Sequence, residues 1–123
     1  MASKEHQEIV KSLIDHFKKK GLTIICAAYE DYDECGKKGR HEPDVVVKDS
    51  SGLHYIGEAE TCDSLDDTDT EEQFQDFSNR QMKDSKKDIP FYIGIPKSCE
   101  QELLDKLKEL DIEDRENISY MLF

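Results

Sequence analysis

Long apolar runs are missing from this chain. Hydrophobic residues make up 36% of it and charged residues 37%, and no stretch stays apolar for a membrane-crossing helix, which needs roughly 20 residues. The opening MASKEHQEIV lacks the apolar core of a secretory leader, so no signal peptide is expected. CxxC pairs are absent too. Cys26, Cys35, Cys62 and Cys99 are widely scattered, without the spacing by which zinc sites and disulfide frameworks usually announce themselves. The expectation is free thiols in a reducing cytoplasm, with Cys26 in the core and Cys35 in a loop. No internal repeat or disordered linker interrupts the chain. Its 123 residues suffice for one core but not two, so one domain over 1–123 is expected.

Positive charge is also scarce. Against 29 acids stand 17 Lys and Arg, for a net charge of −12. Such a balance ordinarily argues against a nucleic-acid binder, because binding to DNA rests on cations that release counterions. The deficit is local, however. Residues 58–76 hold Glu58, Glu60, Asp63, Asp66, Asp67, Asp69, Glu71, Glu72 and Asp76 with no Lys or Arg, which is −9 of the −12. The stretch is not an EF-hand, since counting from Asp67 puts Glu72 where the loop needs Gly. A solvated acidic loop is the plain reading, and a DNA-like or DNA-repelling surface is the other.

What the chain does have is a hairpin with acids at its open end. VVVKDSSGLHYIG reads as strand, tight turn and strand: Val45, Val46 and Val47 are β-branched, Asp49-Ser50-Ser51-Gly52 carries turn chemistry, and Leu53-His54-Tyr55-Ile56 resumes the strand. A three-residue loop with Gly52 at positive φ pairs Asp49 with Leu53. Counting back places Asp44 opposite Glu58. Strand alternation puts Glu58 and Glu60 on one face and Ala59 on the other. Directly opposed residues have Cβ atoms about 4.5–5.5 Å apart, so three carboxylates crowd one patch. A hard divalent cation relieves such crowding, and Mg²⁺ is typically held by one or two carboxylates plus phosphate oxygens. Asp44 and Glu58 are the expected ligands of Mg²⁺ or Mn²⁺.

The remaining elements follow from periodicity. An amphipathic helix is expected over about residues 3–20, with Ser3 as N-cap and Ile9, Val10, Leu13, Ile14 and Phe17 as its stripe. Glu8 lies opposite that stripe and Glu5 at its edge. Leu22–Cys26 reads as a buried strand. Residues 30–42 form a polar loop whose basic half, Lys37, Lys38 and Arg40 with His41, precedes Asp44. It suits phosphate-backbone contact, or is simply solvated. A helix begins near Thr70, with Thr70 or Asp69 as N-cap. Gln73 then completes a capping box from Thr70. Ile89–Pro96 is an interior strand, Ser98 caps a helix with a Leu103, Leu104, Leu107, Leu110 stripe, and Ile118–Phe123 is a last strand. The order α-β-β-β-α-β-α-β implies an α/β fold with a mixed central sheet flanked by helices.

Pro43-Asp44, then Glu58-Ala59-Glu60 a hairpin later, then Gln73, resemble the PD-(D/E)xK nuclease superfamily, which includes restriction endonucleases and archaeal Holliday-junction resolvases. The resemblance covers roughly residues 3–96. It implies a restriction endonuclease-like αβββαβ core, with an extra C-terminal αβ, that hydrolyses DNA phosphodiesters with Mg²⁺ or Mn²⁺. Asp44, Glu58, Glu60 and Gln73 are then catalytic, and Lys37, Lys38 and Arg40 contact DNA. A homodimer is implied as well, since symmetric cleavage needs two sites and related resolvases are dimers. The usual Lys of the pattern is here Glu60, which implies a second metal ligand or a base in its place. The other class consistent with the residues is an inactive nuclease-like module that binds a protein partner through its acidic surface.

Overall fold

A computed structural model describes residues 3–37 and 40–123. The elements are α1 (Lys4–Lys19), β1 (Thr23–Ala27), β2 (Val45–Lys48), β3 (His54–Ala59), α2 (Thr68–Phe77), β4 (Phe91–Ile95), α3 (Glu100–Glu109) and β5 (Ile118–Leu122). Short 3₁₀ turns over Asp63–Asp66 and Lys97–Cys99 precede α2 and α3. The strands form one open sheet in the order β1-β2-β3-β4-β5. β1, β2 and β3 pair antiparallel, whereas β3–β4 and β4–β5 pair parallel, so the sheet is mixed.

Helices cover both faces. Ile9, Val10, Leu13, Ile14 and Phe17 of α1 pack with Ala27, Val45, Val47 and Ala59. On the other face Phe74 and Phe77 of α2 and Leu103 and Leu107 of α3 pack with Val46, Ile56, Phe91 and Ile93. Two strand glycines let α1 approach closely. A Cβ on Gly94 would lie 2.9 Å from Leu13, and one on Gly57 would lie 3.1 Å from Phe17. α1 starts as its sequence dictates, with the Ser3 hydroxyl accepting from the His6 N–H at 3.1 Å.

The hairpin has the expected register. Lys48 pairs with His54 and Val45 with Gly57, and the Asp49 N–H donates to the Leu53 carbonyl at 3.1 Å. Gly52 holds φ at 90°, and the Asp49 carboxylate accepts from the N–H groups of Ser51 and Leu53. The pairing continued one step places Asp44 beside Glu58.

Five local expectations need correction. β1 is an edge strand rather than a buried one: a register irregularity between Ile24 and Cys26 leaves Ile25 40% exposed. α2 begins at Thr68, so Thr70 lies buried in its first turn and caps nothing. Asp67 holds the cap position without a side-chain bond, and no Thr70–Gln73 capping box forms. Ser98 falls inside a 3₁₀ turn, and Cys99 rather than Ser98 precedes α3. Leu104 faces outward at 37% exposure. The cysteines are not free thiols. Cys26 pairs with Cys35 and Cys62 with Cys99, their Cα atoms 4.9 and 5.3 Å apart. The partners are 9 and 37 residues apart in sequence, so folding rather than local spacing brings them together. No helix among the described residues is long and apolar enough to cross a membrane.

Candidate functional site

The open end of the hairpin gathers three acids and a histidine. Asp44 immediately precedes β2, Glu58 lies on β3, and Glu60 follows the end of β3. Ala59 between the two glutamates turns to the α1 face and is buried there, so Glu58 and Glu60 project towards the side occupied by α2. Both are nearly sealed from solvent, at 3% and 4% exposure. Buried acids at such exposure are uncommon and call for partners.

Asp44 has the most. Its Oδ2 accepts from the Ala59 N–H at 2.9 Å and faces the His6 Nε2 at 3.2 Å. Burial opposes its ionisation, but hydrogen bonds from His6, Glu58 and the Ala59 N–H together hold the carboxyl below its ordinary value. His6 moves the opposite way: the bond to Asp44 raises it, against burial. Glu58 is pushed well above the carboxylate range by burial and by the charge of Asp44. Two carboxyl groups in contact cannot both ionise cheaply, so Glu58 holds the proton and Asp44 the charge. Among the described residues Glu58 Oε1 is buried without a hydrogen-bond partner, as is His6 Nδ1.

Glu60 is tethered differently. The Ser64 hydroxyl donates to its Oε2 at 3.0 Å, and Ser64 is itself locked to Thr61 by reciprocal backbone and hydroxyl bonds. Burial raises Glu60 to about 7, with the Asp44 charge adding to the rise and bonds from Ser64 and Thr70 opposing it. A carboxyl that titrates there can give or take a proton near neutral pH.

Sequence reasoning missed two members of this site. His6 comes from α1, the helix whose Glu5 and Glu8 are both exposed. Thr70 comes from α2. The signals were present: His6 extends the Ile9–Val10–Leu13 stripe one turn back, and Thr70 heads the Phe74–Phe77 stripe. Gln73 is half-buried and makes no hydrogen bond to the acids. His41 is also elsewhere, with Nδ1 3.2 Å from Asp76 and Nε2 3.5 Å from Glu72. Lys37 and Arg40 are exposed in the loop before Asp44, and Lys38 lies outside the described residues.

The donor chemistry at Asp44 and Glu58 fits a hard divalent cation. One or two carboxylates are what Mg²⁺ usually takes from protein, and Glu58 Oε1 has no hydrogen-bond partner among the described residues. Among the described residues no group of three or more His, Cys, Asp or Glu is already arranged as a cation cage. The acids are held instead by shared protons, so a cation would enter by displacing them. Comparison with protein-family models, with curated proteins and with solved structures gives no match to this chain.

Proposed function

We propose that this chain has a restriction endonuclease-like core and hydrolyses DNA phosphodiester bonds with the help of Mg²⁺ or Mn²⁺. One observation carries the reading: Asp44, partly buried, meets the buried Glu58 across the hairpin end, and Glu58 Oε1 has no hydrogen-bond partner among the described residues. Burying two acids against each other destabilises the fold, and a binding role accounts for keeping them. When bound, the cation would supply Lewis-acid stabilisation of the charge that develops on the scissile phosphate. Asp44 and Glu58 would hold it. Glu60, titrating near neutral pH and steadied by Ser64, takes a proton from the attacking water. His6 fixes the Asp44 carboxylate from α1. Lys37, Lys38 and Arg40 contact the phosphate backbone from the loop leading into Asp44, and a second copy of the chain supplies the cut on the opposite strand.

A second reading has its own support. Asp63, Asp66, Asp67 and Asp69 are all exposed beside the site, a surface suited to a basic protein partner if the fold has lost catalysis. The location also belongs to this proposal. Disulfides persist in oxidising compartments and in the cytosol of some hyperthermophiles, so the two pairs fit a cytoplasmic setting only in the latter case. Incubating the protein with duplex, single-stranded and branched DNA in Mn²⁺ separates the readings. Cleavage lost in Asp44→Asn and Glu60→Ala supports the enzyme. No cleavage of any form, with none gained in Glu60→Lys, leaves the interaction module.

A further inference from the structure

The chain contains three arginines, Arg40, Arg80 and Arg115, and all three line one cleft of about 670 Å³. The cleft runs along the face of α2 that carries Thr68, Glu71, Glu72, Gln75 and Asp76, and reaches Asn79 just beyond its end. Thr70, Phe74 and Phe77, the residues that α2 turns towards the sheet and the acids, are on its other side. It is therefore separate from the carboxylate site.

Its charges are unequally spent. Glu71 is engaged by the buried Lys106, and Asp76 by Arg80 at 3.0 Å and by His41 at 3.2 Å. Glu72 faces His41 Nε2 at 3.5 Å. Arg40 and Arg115, by contrast, form no ion pair among the described residues, although acids outnumber bases 29 to 17 in the chain. Arg115 is held in place by donating from Nη1 to the Ser78 hydroxyl, which uses one of the five donors of its guanidinium. The Asn79 side chain likewise has no partner among the described residues. What the cleft leaves available is thus two guanidinium forks and an amide.

We propose that this cleft binds the phosphate group of a small phosphorylated molecule of about nucleotide size. Planar guanidinium forks match phosphate oxygens with paired, charge-assisted hydrogen bonds. The volume lies within the range of small-molecule sites, about 300–1,000 Å³. A dianion answers two unpaired arginines without disturbing the acids, each of which already faces a cation or His41. Arg115, anchored by Ser78 just after α2, sets the position of the phosphate, and Arg40 from the loop before Asp44 supplies the second guanidinium.

The test is calorimetric titration of the protein with inorganic phosphate, pyrophosphate, adenosine monophosphate and adenosine. The phosphate-bearing probes should bind at one site and raise the melting temperature, and adenosine should do neither. Tighter binding of the monophosphate than of inorganic phosphate assigns the cleft to a phosphorylated metabolite, and equal binding assigns it to free phosphate. Arg40→Gln should weaken binding by about tenfold or more while leaving the unliganded melting temperature unchanged, because Arg40 is exposed and forms no ion pair among the described residues. Arg115→Gln should do the same at some cost in stability through Ser78. Glu58→Gln should bind phosphate normally, so failure of the nuclease reading leaves this result untouched. The proposal is overturned by equal affinity in Arg40→Gln, by no saturation up to about 10 mM, or by binding of single-stranded DNA alone.

Discussion

Glu60 is where the chemistry of the candidate site meets the stability of the fold. In the unfolded chain it titrates near 4.5, and in the folded chain near 7. Below the lower value both states hold the proton. Between the two, only the folded state keeps it, so stability falls as pH rises and levels off above the higher value. Glu58, raised further, acts in the same direction. So does His6, whose raised value means its bond to Asp44 is fully present below 6.5 and fades as pH climbs through its folded value. Asp44 is lowered, and its contribution disappears only on acidification below 3.8. Metal-free protein should therefore lose stability from about pH 5 to pH 8, with Glu60 accounting for something on the order of 3 kcal/mol. Urea titrations of Glu60→Gln should show a flatter pH profile and higher stability at pH 8; an unchanged slope would falsify the assignment. Glu58→Gln should likewise keep or raise metal-free stability, since an amide can donate to Asp44 without ionising. It should also abolish any rise in melting temperature on adding Mn²⁺. A sharp fall in melting temperature with the Mn²⁺ response intact would count against Asp44 and Glu58 as ligands.

Among the elements, the tightest constraint is the seat of α1 on the sheet. A methyl group at Gly94 would sit 2.9 Å from Leu13, 3.0 Å from Phe123 and 3.1 Å from Ile9, so Gly94→Ala should cost about 1–3 kcal/mol by overpacking. Because α1 carries His6, the same variant should loosen the Asp44 contact, visible as a shift of the His6 ring resonances. The disulfides rank by loop length. Cys62–Cys99 spans 37 residues and Cys26–Cys35 spans 9, so chain entropy gives about 4 and about 2.5 kcal/mol. Serine pairs at each should separate in denaturation midpoint in that order. What the sequence revealed about these elements followed from short-range rules. Gly52 and Asp49 define the turn, the turn defines the register, and the register places Asp44 at Glu58. The stripe of α1 and the proline-bracketed β4 were legible for the same reason. The misjudged features depend on packing between distant segments. The edge position of β1, the cysteine pairs and the outward turn of Leu104 are decided by which strand or helix arrives next to them. His6 and Thr70 sit on stripes read as core, and a polar residue on such a stripe shows its role only once the facing element is known.

The whole molecule carries −12, and that charge sets opposite expectations for folding and for binding. Like charges confined to a compact surface repel one another and favour expansion. Added salt screens them, since the Debye length shortens from about 30 Å at 0.01 M to about 8 Å at physiological ionic strength. The melting temperature of the metal-free protein should thus rise with NaCl, and most of the rise should come from residues 58–76. Replacing Asp63, Asp66, Asp67 and Asp69, all exposed, by Asn should raise the low-salt value and flatten the dependence. DNA binding, if it occurs through the loop before Asp44, should respond the other way. Lys37, Lys38 and Arg40 can neutralise three phosphates at most in each copy of the chain, so the slope of log K against log salt should be no steeper than about −3 per copy. Binding should also need Mg²⁺ or Ca²⁺, because a buried, proton-sharing pair of acids otherwise faces the backbone. The Asn variant should bind more tightly without cutting faster, since the exposed aspartates act on approach and not on the reacting phosphate. If it instead loses affinity for a basic protein while DNA affinity stays unmeasurable, the acidic surface is the binding face and the carboxylate site is not a nuclease centre. Titration of the wild type and the Asn variant across NaCl, with stability and binding read on the same samples, distinguishes these outcomes.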